Sequence, residues 1–202
     1  MRKTFWLYFL ALAACIAASG AVAAPPVMMP VLKAPPPNAE PFRSRFSSVE
    51  SYDPPVPAPS LIFHAVDGNM VKLNELKGKW SLINFWATWC AACVAELPSL
   101  LALEQARKDG LDVVFVSLDS VASAEDLKKR MKKARIPENM ETLYVLDSGV
   151  WNQLQVNSLP TTVILSPEGR LRYKLVGETD WMAKESLEFI DDLINNQPQG
   201  HK

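Results

Sequence analysis

Cysteine and histidine are scarce in this chain: 202 residues hold three of the first and two of the second. A structural zinc site normally takes four ligands, and the candidates Cys15, His64, Cys90, Cys93 and His201 are scattered, so zinc is left with a half-site at best. Excess charge is also missing. A formal net charge of −1 gives no basis for nucleic-acid binding. No internal repeat is visible.

What is present concentrates in Ser81 to Leu97, SLINFWATWCAACVAEL. The apolar run Leu82 to Ala87 reads as a buried strand, and the residues after Trp89 have helical spacing. Two thiols therefore stand at the start of a helix. Free backbone N–H groups and the helix dipole favour an anion there, which marks Cys90 as the nucleophile. Cys93, one turn deeper, is close enough to close a small ring and is the resolving thiol. A zinc half-site and a pair of inert buried cysteines are the competing readings.

The N-terminus speaks to location. Met1-Arg2-Lys3 is a short basic segment, Thr4 to Gly20 is apolar, and Ala21-Val22-Ala23 is a small-x-small cleavage pattern. Residues 1–24 are expected to be a signal peptide or a membrane anchor; the uncharged stretch 4–24 is long enough to span a bilayer if it is retained. Leu12-Ala13-Ala14-Cys15 also resembles a lipobox, although the apolar run continues past Cys15. Each alternative puts the remainder outside the cytoplasm, in the periplasm or another extracytoplasmic space, soluble or tethered to the inner membrane. That compartment is oxidising in bacteria.

Residues 25–59 hold 11 of the 16 prolines and read as a disordered, proline-rich tether. Fully extended at about 3.1 Å per residue, such a segment reaches on the order of 100 Å. A folded domain is expected over residues 60–197, followed by a short tail, 198–202. Within it, Leu61 to Val66 and Met70 to Leu73 flank Asp67-Gly68-Asn69, a hairpin signal. The active helix should run to Lys108 and end at Gly110. Leu111 to Leu118 is a second buried strand. Ser123 starts a helix over Asp126 to Arg135, whose basic run reads as a solvated face. A strand at Thr142 to Leu146, a short helix at Ser148 to Gln155, two strands around the turn Pro167-Glu168-Gly169, and a helix over Trp181 to Ile194 complete the order. Together they imply an α/β domain: a mixed β-sheet flanked by helices, with an extra N-terminal β-hairpin.

Phe85-Trp86-Ala87-Thr88-Trp89-Cys90-Ala91-Ala92-Cys93, Glu96-Leu97-Pro98, Leu159-Pro160-Thr161-Thr162, Glu168-Gly169-Arg170 and Gly177-Glu178 resemble the TlpA/ResA-like branch of the thioredoxin family. The match covers Ser60 to Asn196. The resemblance implies a thioredoxin fold, a cis peptide before Pro160 opposite the Cys90–Cys93 disulfide, and substrate binding by Trp89, Leu159 and Pro160. It also implies extracytoplasmic thiol–disulfide exchange with protein substrates, in relatives often apocytochrome c. No cofactor or metal is implied, and a DsbD/CcdA-type membrane protein would supply electrons to a reductase of this kind. A disulfide-forming oxidant is the alternative, and copper delivery on the same fold a more distant one, since those carriers use CxxxC with a distal histidine.

Two positions bear on proton chemistry. Thioredoxins at large carry a buried aspartate six residues before the first active cysteine; here that residue is Asn84. Glu96, three residues after Cys93 on an apolar face, matches the acid that lies near the thiols in this branch. A carboxyl group so placed should have a raised pKa and could take the proton from Cys93.

Overall fold

A computed structural model describes residues 40–137, 140–146 and 149–195. The expected leader, residues 25–39 of the tether and the tail lie outside the described residues. Among the described residues, no helix is long and apolar enough to cross a membrane.

The sheet is organised around β4 (Trp80–Trp86), every residue of which is buried. It runs parallel to β5 (Leu111–Ser117) and antiparallel to β7 (Thr161–Leu165). With covered faces on both sides, a strand needs apolar residues at successive positions, which is why LINFW shows no polar alternation. Leu82 and Trp86 point into a core shared with α2 (Ala91–Arg107), α3 (Ala124–Lys133) and α5 (Lys184–Asn195). Ile83 and Phe85 point the other way, against Val150 and Leu154 in and just after α4 (Gly149–Gln153). Asn84 has the parity of Leu82 and Trp86 and therefore faces α2.

The remaining strands complete an eight-stranded sheet in the order β1-β8-β7-β4-β5-β6-β2-β3. The hairpin is β2 (Ile62–Ala65) with β3 (Met70–Lys72), at the edge beyond β6 (Leu143–Tyr144). At the opposite edge, β8 (Arg170–Val176) pairs with β1 (Ser48–Pro57), preceded by the short α1 (Glu40–Arg43). This is the thioredoxin fold, enlarged at both edges.

β1 corrects the expected domain boundary. Residues 40–57, which by composition read as part of a tether ending at Pro59, belong to the fold. Proline is excluded from central strands because it lacks a ladder donor, but an edge strand presents one side that needs none. Pro54 and Pro55 fall where the pairing register shifts, between Ser51 and Val56. Three basic residues at alternate positions of β8 hold the segment down: Arg170 donates to the Pro55 carbonyl at 2.7 and 3.0 Å, Arg172 pairs with Asp53 at 3.0 Å, and Lys174 pairs with Glu50 at 2.7 Å. Phe42 stacks on Phe189 of α5 with ring centroids 4.2 Å apart. Burying Phe42, Phe46, Tyr52 and Val56 contributes roughly 1.5–3 kcal/mol for each fully buried apolar side chain, which offsets the cost of ordering a proline-rich chain.

The last helix also differs from expectation. It starts at Lys184, three residues later than the apolar spacing indicates, because Trp181 turns into the core and its backbone N–H bonds Ser99 Oγ at 3.1 Å. The strand expected over Thr142 to Leu146 shortens to two residues.

Candidate active site

β4 and β5 leave the sheet at the same end, and β7 enters it there. The pairing of Phe85 with Thr161 sets Pro160 beside the last residues of β4, where the cysteine loop begins. The Leu159–Pro160 peptide is cis. Leu159 is half-buried and packs against the cluster that contains Cys90 and Cys93. Thr161 Oγ1 donates to the Ser158 carbonyl at 2.7 Å, shaping the turn before it. The Pro160 carbonyl accepts the Gly177 N–H at 3.0 Å, so the loop after β8 adjoins the same turn.

Cys90 is the N-cap of α2, in extended conformation, and its Sγ accepts the Cys93 N–H at 3.2 Å. This is the helix-end contact expected to favour a thiolate. Cys90 and Cys93 are joined in a disulfide. The first sulfur's residue retains 8% exposure and the second none, an asymmetry that leaves Cys90 as the one an incoming group can reach. Trp89, immediately before them, is 66% exposed. A large aromatic ring left in solvent next to a reactive sulfur offers apolar contact area to a partner.

Glu96, three residues after Cys93 in α2, is buried. Its Oε1 accepts from Asn84 Nδ2 at 2.8 Å; its Oε2 accepts from the Thr179 N–H and from Trp181 Nε1, each at 3.3 Å. Burial pushes its pKa up to about 7, and Glu178 adds to the rise; the three hydrogen bonds oppose it. Such a group carries a proton at weakly acidic pH and releases it above neutrality. Asn84 Nδ2 also donates to Thr162 Oγ1 at 3.1 Å, while Asn84 Oδ1 is buried with no partner among the described residues. An amide in that position can turn over: it donates to the carboxylate, and it can accept from the carboxylic acid. Asn84 therefore replaces the missing aspartate with a group that accommodates both states of Glu96.

The structure places Cys90, Cys93, Trp89, Leu159 and Pro160 at the end of the sheet where β4 exits and β7 enters, and sets Glu96 in α2, three residues after Cys93 and buried. It adds Asn84, Thr162, Thr179 and Trp181 around the carboxyl group. A polar Asn84 within the buried apolar run Leu82 to Trp86 is a signal for the first of these; the others are long-range and carry none. His64 sits in β2 against Tyr144, away from the cysteine loop, and His201 lies outside the described residues. Among the described residues, no three His, Cys, Asp or Glu side chains gather.

Residues 55–174 match the AhpC/TSA family. The thiol–disulfide oxidoreductase ResA of Bacillus subtilis (strain 168) is 28% identical over 151 residues, spanning 74% of this chain and 82% of the relative. The thioredoxin-like protein YneN of the same organism is 33% identical over 137 residues, 67% of this chain and 77% of the relative. Among solved structures, a thiol:disulfide interchange protein from Bacteroides sp. is similar with a TM-score of 0.55 and 28% identity, covering 73% of this chain and 93% of that one.

Proposed function

Because the chain belongs to the AhpC/TSA family, on its TlpA/ResA-like thioredoxin-fold branch, it is a thiol–disulfide oxidoreductase, and we propose that it works as an extracytoplasmic reductase of protein disulfides. The observation that carries the direction is the environment of Cys90. Among the described residues its Sγ has one hydrogen-bond donor, the Cys93 N–H, and no histidine, lysine or arginine pairs with it. A strongly oxidising dithiol needs a heavily stabilised thiolate in its reduced form. This site supplies only the helix end.

In the cycle we propose, the Cys90 thiolate attacks one sulfur of a substrate disulfide and expels the other as a thiolate, forming a mixed disulfide. Cys93 gives its proton to Glu96 and attacks Cys90 Sγ. The second substrate sulfur leaves as a thiolate, and the enzyme holds the Cys90–Cys93 disulfide. Two electrons have passed to the substrate. Trp89 supplies apolar contact to the substrate, and the turn at Leu159 and Pro160 borders its path. Leu159 makes no backbone hydrogen bond among the described residues, which supports extended pairing with an incoming peptide.

Repeated turnover outside the cytoplasm requires electrons from a membrane donor of the DsbD/CcdA type. Apocytochrome c is a substrate class consistent with this reading. Residues 4–24 would deliver the domain across the membrane, either cleaved or retained as an anchor. Residues 25–39 would give it reach. The test of direction is a two-way assay on the full chain: insulin reduction with dithiothreitol, against oxidation of reduced, unfolded ribonuclease. Faster insulin reduction is expected, and efficient ribonuclease oxidation with little insulin reduction would reverse the assignment.

A further inference from the structure

Asp119 lies just past the end of β5 and is 1% exposed, a costly place for a carboxylate. Its oxygens are committed to the loop between β4 and α2. Thr88 Oγ1 donates to Oδ1 at 2.6 Å, and the Thr88 N–H donates to Oδ2 at 2.8 Å. Ser117 Oγ donates to Oδ2 at 2.9 Å, and that same Oγ accepts the Asp119 N–H at 3.1 Å. The charge that faces it is Arg130 of α3, with Nη1 3.9 Å from Oδ1 and Nη2 donating to the Ser120 carbonyl at 3.2 Å.

Thr88 stands two residues before Cys90. β4 and β5 pair in parallel up to Trp86 and Ser117, and the Leu118 N–H adds one more bond to the Trp86 carbonyl at 2.8 Å. Beyond that point the sheet no longer guides the chain, yet Cys90 must arrive extended, with Sγ over the Cys93 N–H. The Cys90 N–H reaches back to Ala87 at 3.1 Å. The only side-chain clamp on the intervening residues among those described is the two-point grip of Asp119 on Thr88.

We propose that Asp119 is a positioning residue for the redox reaction: through Thr88 it fixes the loop that delivers the Cys90 sulfur to the N-terminus of α2. The inference rests on Cys90 as the attacking thiol but not on the direction of electron flow, so its readout is chosen to be independent of direction. Substitution separates geometry from charge. In Asp119→Asn the amide oxygen can accept from the Thr88 N–H and Ser117 Oγ, and the amide nitrogen can donate to Thr88 Oγ1, so the grip survives without the charge. Asp119→Ala loses both.

The experiment measures, on full-length protein, the equilibrium of Cys90–Cys93 with glutathione and the rate of iodoacetamide alkylation of reduced Cys90 at pH 7. Asp119→Ala should slow alkylation about tenfold and move the glutathione equilibrium toward the disulfide about tenfold. Asp119→Asn should stay within about threefold of the parent on both. Unchanged values in a folded Asp119→Ala variant, or equal shifts in the alanine and asparagine variants, would overturn the proposal. Should the alanine variant not fold, Thr88→Val carries the test: it keeps Asp119 and the N–H bond, and should shift both readouts in the alanine direction by about threefold. No shift there refutes the positioning role.

Discussion

Replacing Cys90 by serine is expected to abolish disulfide reduction, a loss of at least about 10³-fold, while leaving the fold intact. A serine hydroxyl in place of the thiol has no accessible anion near neutral pH, so the helix end has nothing to stabilise. The companion change has a different signature. Cys93→Ser keeps the attacking sulfur and removes the one that resolves, so the protein should accumulate a mixed disulfide with its substrate in close to stoichiometric amount. The proposed roles rest on exposure: Cys90 is 8% exposed, and Cys93 is fully buried. Mass spectrometry of each variant after incubation with oxidised insulin reads the assignment directly. A trapped adduct on Cys93 in the Cys90→Ser variant would mean that the roles are reversed.

The second large effect concerns Glu96. With its pKa at about 7 in the folded chain against an ordinary value of 4.5, the group binds a proton more tightly folded than unfolded. Its contribution to stability is therefore complete below about pH 4.5, declines as pH rises toward 7, and is gone above that. The displacement corresponds to about 3 kcal/mol at most. Glu96→Gln has no proton to lose. Its amide oxygen can accept from Thr179 and Trp181, and Asn84 can turn its unpartnered Oδ1 toward the new NH2. In the disulfide form, the glutamine variant should gain on the parent by about 1–3 kcal/mol between pH 4.5 and pH 8, read as urea-unfolding midpoints. Activity should move the opposite way. The parent's rate of thiol exchange should rise with an inflection near the Glu96 pKa, whereas the variant loses that inflection and falls by about tenfold or more at pH 8. Parallel stability curves together with an unchanged pH–rate profile would remove Glu96 from the proton chemistry.

The redox centre was legible in the sequence because it is local. A buried apolar strand, a Cys-x-x-Cys pair and a helix lie within seventeen residues, and each depends on neighbours a few positions away. β5, α3 with its Ser123 cap, and the hairpin at Asp67-Gly68-Asn69 are local in the same sense: Ser123 Oγ accepts the Asp126 N–H at 3.2 Å. β1 was not legible. Its partners on β8 lie more than a hundred residues downstream, and its prolines argue for a tether until an edge position for them is known. The surroundings of Glu96 divide along the same line. The carboxyl group could be picked out by its spacing from Cys93, but Thr179 and Trp181 reach it from the loop after β8, and Thr162 of β7 bears on it only through Asn84. Trp181 also fits the apolar spacing of α5, so the local pattern assigned it to a helix that tertiary packing begins later. Asp119 gave no local signal, since a single acid after a strand is ordinary; its meaning comes from the parallel exit of β4 beside it.

Whether the protein is a reductase whose Cys90 thiolate is stabilised by a helix end and little else is decided by the reduction potential of Cys90–Cys93, equilibrated with glutathione and read by alkylation and mass. A reductase of this kind should give a value near that of thioredoxin, about −270 mV. A value near −120 mV, that of a strong disulfide donor on the order of DsbA, would contradict it.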